Sequence, residues 1–308
     1  MLINQHFLRR KRYVHLGDLC DDWKMGKKMK ARCGVCFRKC MLEEGEVGPC
    51  LARKNRGGMI GPENYGMVTS LALDPIEKKP LSRFHPGSRI LSLGSFGCNL
   101  FCPFCQNHEI AHPDSVNFLE YRSMVPEEIV SLALDLKSRG NIGCAFTYNE
   151  PLVGWEFVRD TAKLVKQEGM VNVLVSNGTA SEAVLTELSP YIDAMNIDLK
   201  AFSDGYYREY VKGDFGMTKH FIEKAVSFCH VELTMLVLPG KNDSEEEMRA
   251  LSGWVAGLAD GKGREIPLHI SRYFPRYREK LPPTDVSRVY RLVEVAKERL
   301  AYVYPGNC

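Results

Sequence analysis

The stretch RILSLGSFGCNLFCPFC, residues 89–105, joins an apolar run to a loop that contains three cysteines. The apolar run predicts a buried β-strand. Three residues separate Cys98 from Cys102, and two separate Cys102 from Cys105. A loop this short can place three thiolates around one iron–sulfur cube and leave the fourth iron open. The stretch therefore predicts a strand that ends in a reactive metal centre.

Zinc is the alternative occupant of this loop. It would need a fourth ligand such as His108 or His112, and structural zinc sites more often use paired Cys-x₂-Cys motifs. The spacing therefore favours an iron–sulfur cluster over zinc.

Downstream of this stretch, strand-like and helical patterns alternate. The predicted strands are residues 89–94, 142–148, 171–176, 194–199, 231–238, 268–273 and, as a short last run, 301–304. The predicted helices are residues 126–138, 154–168, 181–188, 217–229, 245–258 and 285–300. Six strand–helix units predict an α/β fold with a partial (β/α)₆ TIM-like barrel, and a doubly wound sheet is the alternative. In a barrel, functional residues gather at the carboxyl ends of the strands.

Polar residues stand at those predicted strand ends. Glu150 follows the second strand, within Asn149-Glu150-Pro151, and Ser176-Asn177-Gly178 ends the third. Asp198 and Lys200 end the fourth, and alternation places both on one face of the strand. The structural alternatives are ordinary turns and a surface ion pair. His269, on the last full strand, is as consistent with a core histidine as with a substrate-facing one.

With Phe104 before its last cysteine, the loop resembles the signature of the radical S-adenosylmethionine (SAM) superfamily. The resemblance extends from about Cys33 along the whole chain. The matching motifs are Asp74-Pro-Ile-Glu-Lys-Lys-Pro-Leu81, Phe84-His-Pro-Gly87, Cys105-Gln-Asn107, Thr147-Tyr-Asn-Glu-Pro151, Ser176-Asn-Gly178, Asn196-Ile-Asp-Leu-Lys200, Leu238-Pro-Gly-Lys-Asn-Asp243 and His269-Ile-Ser-Arg272. The pattern is similar to pyruvate formate-lyase-activating-enzyme-like proteins, and among them it most resembles the radical SAM enzyme of the AmmeMemoRadiSam system.

This resemblance implies a [4Fe-4S] cluster on Cys98, Cys102 and Cys105, with SAM chelating the open iron. One electron, from a flavodoxin- or ferredoxin-like donor, would cleave SAM into methionine and a 5′-deoxyadenosyl radical, which abstracts hydrogen from an unidentified substrate. The resemblance implies that Glu150 meets the SAM amino group and Lys200 its carboxylate. The full set of implied cofactor-binding residues is Phe104, Asn149, Glu150, Ser176, Asn177, Asp198, Lys200 and His269.

Two positions depart from the pattern of glycyl-radical activases. Val175 stands where those proteins have an aspartate that helps to bind a monovalent cation beside SAM, and Thr234 stands where they often have arginine. Activity on a glycyl radical enzyme is therefore one expectation. Modification of another protein or of a small molecule is the alternative.

A second cysteine group precedes the barrel. Cys33, Cys36, Cys40 and Cys50 can close a tetrahedral zinc site or hold an auxiliary iron–sulfur cluster, and zinc is slightly favoured. We accordingly divide the chain into a basic extension (residues 1–32), a Cys-rich segment that caps the barrel (33–82) and the radical SAM barrel (83–308).

Composition limits the remaining possibilities. The 308 residues include eleven cysteines, too sparse for a disulfide-dense secreted domain. The sequence has neither a secretory-signal order of residues at its start nor an apolar run long enough to span a membrane, so we expect a cytoplasmic protein in a reducing compartment. Residues 1–56 carry a net charge of +8 within a total of +3. A distant alternative is therefore a non-enzymatic zinc protein that binds nucleic acid, but no nucleic-acid-binding motif accompanies the charge.

The other four cysteines have no assigned role. Small buried hydrophobic residues are the expected reading for Cys20, Cys144, Cys229 and Cys308.

Overall fold

An eight-stranded sheet organises the part of the chain that the structure describes. The computed structural model describes residues 29–308, so Cys20 and most of the predicted extension 1–32 lie outside the described residues. The strands are β1 (Ala31–Arg32), β2 (Met41–Leu42), β3 (Arg53–Arg56), β4 (Met59–Pro62), β5 (Met67–Val68), β6 (Ser70–Pro75), β7 (Arg89–Gly94), β8 (Arg122–Ser123), β9 (Asn141–Phe146), β10 (Val171–Ser176), β11 (Ala194–Asp198), β12 (His230–Val237), β13 (Leu268–Arg272) and β14 (Val303–Gly306). The helices are α1 (His108–Ala111), α2 (Pro126–Asp135), α3 (Trp155–Gln167), α4 (Glu182–Leu188), α5 (Phe215–Ala225), α6 (Glu245–Ala256) and α7 (Val286–Lys297), and a π-helical segment spans Tyr206–Val211.

The large sheet is a partial barrel. Its strand order is β6-β7-β9-β10-β11-β12-β13-β14, and every neighbouring pair is parallel except β6 and β7. The order never reverses, whereas a doubly wound sheet has a switch point. The predicted partial (β/α) barrel is therefore confirmed, and the doubly wound alternative is wrong.

Sequence patterns located the barrel elements to within a few residues. All seven predicted strands and all six predicted helices are present. The short strands before residue 70 were missed, because two-residue pairings such as β1 with β2 are too short to show a periodic pattern. The strand β6 was also missed. It lies in the range assigned to the Cys-rich segment, yet it pairs along its full length with β7.

The interior of the barrel is filled from one end by the segment after β6. Ile76 and Leu81 pack there, fully buried, against inward-facing residues such as Ile90, Ala145 and Val173. Lys79 is only 3% exposed, and its ammonium lies 2.9 Å from the Asp74 carboxylate. A buried lysine is tolerated because it is paired. The filled end leaves the opposite end, at the carboxyl ends of the strands, as the open mouth.

No helix within residues 29–308 is long and apolar enough to cross a membrane.

Candidate active site

The three cysteines of the loop after β7 line a cavity of about 280 Å³ at the mouth of the barrel. Cys98, Cys102 and Cys105 share this cavity with residues that follow β9, β10 and β11. Parallel strands present their carboxyl ends at one edge, and this is why residues far apart in sequence meet there. Burial raises the pKa of all three thiols, that of Cys102 to about 12.

Glu150 stands at the centre of a hydrogen-bond network in this cavity. Its carboxylate is 3% exposed and accepts hydrogen bonds from Ser176 Oγ (2.8 Å), from the Asn177 backbone N–H (2.8 Å) and from the Leu152 N–H (3.1 Å). Burial raises the pKa of Glu150 to about 7, although the three hydrogen bonds oppose the shift. The site thus holds a carboxylate in a fixed orientation with little solvent, and a cation beside it would favour its charged form.

Asn149 fastens the cysteine loop to the end of β9. Its side-chain oxygen accepts a hydrogen bond from the Ser95 N–H (3.0 Å), and its amide donates to the carbonyls of Phe96 and Gly97 (both 3.1 Å). These contacts fix the residues immediately before Cys98. Asn149 therefore acts on the loop, although it also lines the cavity.

Asn177 connects the Ser-Asn-Gly turn to the same loop. Its amide donates to the side-chain oxygen of Asn99 (2.9 Å) and lies 3.8 Å from the Cys98 sulfur. Asn99 in turn donates to the Thr179 carbonyl (3.2 Å). The turn and the cysteine loop are held as one unit.

Asp198 and Lys200 both line the cavity, as alternation along β11 predicts. The Lys200 ammonium lies 2.7 Å from the Asp198 carboxylate. Burial opposes the charge on Lys200, but Asp198 and the nearby Cys102 raise its pKa above the ordinary value. Lys200 therefore presents a positive charge to the cavity over the whole physiological pH range.

Phe104 also lines the cavity. It is 4% exposed and packs in a cluster with Tyr206, Tyr207 and Tyr273, and its ring centroid is 5.8 Å from that of Tyr210. The predicted departures Val175 and Thr234 also line the cavity.

His269 is the predicted site residue that the structure does not bring to the cavity. Its ring nitrogen lies 2.6 Å from the carboxylate of Glu232, which also contacts His230 (3.0 Å) and accepts hydrogen bonds from the N–H groups of Ser82 and Arg83. The pattern of alternation was right, since Ser271, two residues further along β13, lines the cavity. His269 points into the barrel below the mouth because it precedes Ser271 by two residues on the same face.

Replacing Glu232 by glutamine is expected to destabilise the protein at neutral pH. Burial would raise the pKa of Glu232, but its four donors lower it to about 2. A carboxyl pKa that is lowered on folding stabilises the protein above the pKa of the unfolded chain, near 4.3, and this stabilisation is lost as the pH falls toward 2. We expect E232Q to lower the free energy of unfolding by about 3 kcal/mol at pH 7, and the difference from wild type to shrink between pH 4.5 and 2.

Urea unfolding between pH 7 and pH 2 measures this difference in the free energy of unfolding, with the exposed Glu187→Gln as the control. An unchanged pH profile would contradict the assignment.

A further group of polar side chains, Tyr148, Asp74 and Lys79, lies beneath the cavity. Tyr148 lines the cavity, and its hydroxyl donates to the Asp74 carboxylate at 2.8 Å across 74 residues of sequence. The Lys79 ammonium lies 4.6 Å from the centre of the Tyr148 ring. Burial opposes the charge on Asp74, but Lys79 and Tyr148 lower its pKa to about 2. Tyr148 adopts φ of 75°, a conformation that is costly for a tyrosine and persists where surrounding contacts enforce it. Asp74 and Lys79 belong to one of the motifs quoted above and Tyr148 to another, but nothing in the sequence showed that the two motifs meet.

The four cysteines of the second group also lie close together in the structure. Cys33, Cys36, Cys40 and Cys50 line one small cavity of about 10 Å³, and all but Cys40 are buried. Within residues 29–308, however, no group of three or more His, Cys, Asp or Glu side chains has the geometry of a closed metal site.

Gly97 brings the two cysteine groups into contact. It adopts φ of +94°, and a Cβ at this position would lie 2.5 Å from the Cys50 carbonyl oxygen and 3.0 Å from the Ala52 Cβ. The loop of the first cavity therefore rests directly on the segment that forms the second.

Replacing Gly97 by alanine is expected to disturb both groups. Gly87, at φ of +81° with no atom within 4 Å of an added Cβ, is the matched control, because both substitutions place alanine in left-handed backbone. We expect G97A to lose about 1–3 kcal/mol more stability than G87A, since only the first has a backbone atom in the way. Thermal unfolding of the two variants measures the difference, and equal losses would show that the contact with Cys50 is unimportant.

The sequence of the chain is similar to those of known proteins. A profile of the Radical SAM superfamily matches residues 93–251. An uncharacterized protein of Methanocaldococcus jannaschii is 38% identical over 290 residues, which cover 90% of this chain and 81% of that one. The pyruvate formate-lyase-activating enzyme of Clostridium pasteurianum is 26% identical over 180 residues, or 56% of this chain and 72% of that one.

Solved structures share the fold at low sequence identity. A radical SAM methyltransferase from Sphaerobacter thermophilus has a TM-score of 0.55 and 16% identity, covering 72% of this chain and 67% of that one. Streptococcus suis SuiB bound to SAM has a TM-score of 0.54 and 14% identity, covering 71% of this chain and 52% of that one. Because the profile of this superfamily matches residues 93–251 and the chain is homologous to activating enzymes, the non-enzymatic alternative is wrong. The chain belongs to the radical SAM superfamily of enzymes and is homologous to pyruvate formate-lyase-activating enzymes.

Proposed function

We propose that this enzyme cleaves SAM reductively at a [4Fe-4S] cluster held by Cys98, Cys102 and Cys105, and that the resulting radical abstracts hydrogen from a substrate. Family membership implies the cluster and SAM. The observation that carries the assignment of residues is the convergence of three thiols, one buried carboxylate and one lysine on a single cavity.

The donor set fits both groups. Three thiols are the ligands that an iron–sulfur cluster takes. Each cysteine would bind a different iron of the cluster, so the three sulfurs need not converge on one point. The cavity, about 280 Å³, is close to the lower end of the range for small-molecule sites.

When bound, the cluster supplies the electron that breaks the C–S bond of SAM. Glu150 would accept hydrogen bonds from the SAM ammonium group, because it is the buried carboxylate on the cavity wall. Ser176 and Asn177 would hold Glu150 in place, as their hydrogen bonds to it indicate. Lys200 would bind the SAM carboxylate while Asp198 keeps it charged and oriented.

Phe104 and Asn149 would shape the cofactor site and would not bind SAM through charge. Phe104 gives the wall next to Cys105 an apolar face, and Asn149 fixes the backbone before Cys98. We do not extend a SAM-binding role to His269, which is engaged with Glu232 below the cavity.

A glycyl radical enzyme is one candidate substrate, supported by the homology to activating enzymes. Val175 and Thr234 in the cavity wall instead favour a different protein or a small molecule, since neither supplies the charge that those activases place there. With any of these substrates the enzyme would act as an oxidoreductase and would need an external electron donor. We place it in the cytoplasm, where a reducing environment would preserve the cluster and the free cysteines.

We also propose a metal at Cys33, Cys36, Cys40 and Cys50, in the part of the Cys-rich segment that precedes β6 and the barrel sheet. Four cysteine side chains are a donor set of structural zinc sites, and zinc is slightly favoured over an auxiliary iron–sulfur centre. The four sulfur atoms would have to move closer together to bind the ion. The bound metal would then stabilise a segment that has only a small hydrophobic core of its own.

Anaerobic reconstitution with iron and sulfide, followed by SAM and a reductant, tests the leading proposal. 5′-Deoxyadenosine and methionine should form in equal amounts. Well-reconstituted protein that forms neither, and that binds zinc at Cys98–Cys105 instead, would refute it.

A further inference from the structure

The Cys-rich segment is bound to the chain that follows β10. Cys36 pairs with Ala180 in an antiparallel β-bridge, and the Ser181 N–H donates to the Val35 carbonyl (2.8 Å). The Ser-Asn-Gly turn, residues 176–178, ends two residues before this bridge and lines the cavity assigned to SAM. Backbone contacts therefore join the segment that carries the second cysteine group to a wall of that cavity.

Asn99, in the loop after β7, connects the same parts through its side chain and is only 1% exposed. Its side-chain oxygen accepts a hydrogen bond from the Asn177 amide (2.9 Å), and its own amide donates to the Thr179 carbonyl (3.2 Å). Burial raises the pKa of the Cys36 thiol, and hydrogen bonds with the Arg38 backbone and the Asn99 side chain oppose this shift. One buried amide thus contacts both the Ser-Asn-Gly turn and a cysteine of the second group.

The residues on both sides of Cys98 also rest on the Cys-rich segment. On one side, Arg38 donates from Nε to the Asn99 carbonyl (2.9 Å). On the other, a Cβ added at Gly97 would lie 2.5 Å from the Cys50 carbonyl oxygen, so the two backbones are in close contact. We call the contacts of residues 35–50 with residues 97–99 and 180–181 the junction.

A buried arginine in the cavity of the second cysteine group has a donor without an acceptor. Arg53 lines that cavity and is 5% exposed. Its terminal nitrogens donate to the Glu156 carboxylate and to the carbonyls of Val153 and Ile60. Its Nε–H has no hydrogen-bond partner among residues 29–308, and a buried donor without an acceptor is costly. A metal-bound thiolate on the cavity wall is an acceptor that would satisfy it.

We propose that the Cys-rich segment is a working part of the SAM site: a metal ion bound by its four cysteines holds the Ser-Asn-Gly turn and Cys98 in place, with Asn99 as the positioning residue between them. The inference rests on the proposed function, which assigns SAM to the barrel cavity and a metal to the second cysteine group. A segment with only a small hydrophobic core depends on its metal for a fixed fold. The junction is fixed only as long as that fold is.

Loss of the metal would reach SAM through Glu150. Ser176 and Asn177 hold the Glu150 carboxylate by two hydrogen bonds of 2.8 Å, so a turn that moves would no longer orient this group. SAM would then have to order the turn as it binds, and that ordering lowers its affinity. By linkage, SAM must in return raise the affinity of the protein for the metal by the same factor.

Replacing Cys40 by serine tests the role of the metal. Cys40 is half-buried and makes none of the junction contacts named above, so the variant removes a metal ligand and leaves those contacts in place. Cys229→Ser, at another half-buried free cysteine, is the matched control. Full-length proteins are reconstituted with iron and sulfide, supplied with Zn²⁺ and analysed for metal content, and calorimetric titration then gives the Kd of SAM.

We expect Cys40→Ser to lose the metal of the second cysteine group and to bind SAM about tenfold more weakly, whereas Cys229→Ser matches wild type. In wild type, SAM should raise the affinity for zinc by the same factor, measured by competition with a chromophoric chelator. Hydrogen–deuterium exchange reports on the junction directly, because the Ser181 N–H donates across it. Exchange within residues 176–185 should be about tenfold faster in Cys40→Ser, and exchange in α6 should not change.

Replacing Asn99 by alanine tests the positioning role without removing a cysteine. We expect Asn99→Ala to keep its metal and to bind SAM about tenfold more weakly. Asn172→Ala is the matched control, because Asn172 is also fully buried and its amide donates to the carbonyls of Ala162 (2.8 Å) and Tyr191 (3.1 Å), at the far end of β10 from the cavity. It should lose stability and bind SAM normally.

The double variant Cys40→Ser and Asn99→Ala separates one shared route from two independent effects. If both residues act through the junction, the double variant should bind SAM no more than about threefold more weakly than Asn99→Ala alone. Independent effects would multiply to about a hundredfold loss relative to wild type.

Three results would overturn the proposal: no metal bound by the second cysteine group in wild type, wild-type SAM affinity in Cys40→Ser after its metal is lost, or fully multiplicative losses in the double variant. Failure of the proposed function has a different signature. In that case wild type itself would bind no SAM, whereas failure of the further inference leaves SAM binding by wild type intact.

Discussion

Replacing Cys98, Cys102 and Cys105 together by alanine is expected to abolish formation of 5′-deoxyadenosine, by at least about 10³-fold, because the difficult step belongs to the cofactor. The variant should also lose the visible absorbance and the electron paramagnetic resonance signal of a reduced [4Fe-4S] cluster. All three cysteines line the cavity, and Cys102 also packs, partly buried, against the cluster that contains Phe104. The product is measured by chromatography after anaerobic reconstitution.

Cys229→Ala is the control for this variant. Cys229 is a free cysteine outside both cysteine groups, at the end of the helical region before β12. It should leave iron content and product formation unchanged. The metal that remains in the triple variant reports what Cys33, Cys36, Cys40 and Cys50 hold: zinc without iron supports a structural ion, and iron with sulfide supports an auxiliary cluster. Retention of a redox-active cluster and of product by the triple variant would contradict the assignment.

Replacing Glu150 by glutamine is expected to weaken SAM binding by about 2 kcal/mol or more, which is roughly 30-fold in Kd. Glutamine keeps the size of the side chain but removes the negative charge that would face the SAM ammonium. It also places an NH₂ group among donors that now point at carboxylate oxygens. Calorimetric titration of reconstituted protein with SAM measures the effect.

The loss should come from binding and not from unfolding. The pKa of Glu150 is raised by burial to about 7, so its charge costs folding free energy as the pH rises from about 4.3 to 7. At pH 8 glutamine removes this cost but sets its NH₂ group against hydrogen-bond donors, and because the two effects oppose each other the variant should unfold within a few degrees of wild type. Glu182→Gln, an exposed glutamate on α4, is the matched control and should bind SAM normally. A wild-type Kd for Glu150→Gln would show that another group meets the ammonium.

Periodic apolar runs made the barrel predictable. Strands such as β12 are buried along most of their length and helices such as α3 have one apolar face, so each produces a pattern that is independent of its partners. The strand β6 was missed because it joins the sheet as an antiparallel edge, and its residues are only partly buried. A half-buried edge strand leaves a weak pattern in the sequence.

Position along a strand was predictable, but depth in the barrel was not. Alternation placed Asp198 with Lys200, and His269 with Ser271, on common faces, and both pairings agree with the structure. Ser271 reaches the cavity and His269 does not, because two residues along a strand correspond to about 6–7 Å. Below the mouth, His269 meets the carboxylate of Glu232. Glu232 belongs to another strand, β12, and no sequence pattern indicates that the two side chains meet.

The sequence by itself determined the fold class, the family and the three thiols of the centre, since each depends on residues that are neighbours along the chain. The tertiary structure alone decided which polar groups meet. It joined Tyr148 to Asp74, set Glu150 between Ser176 and Asn177, and turned His269 away from the cavity. The physical reason is that burial and charge pairing depend on distances between strands and loops that are far apart in sequence, and these distances are fixed only when the barrel closes around its core.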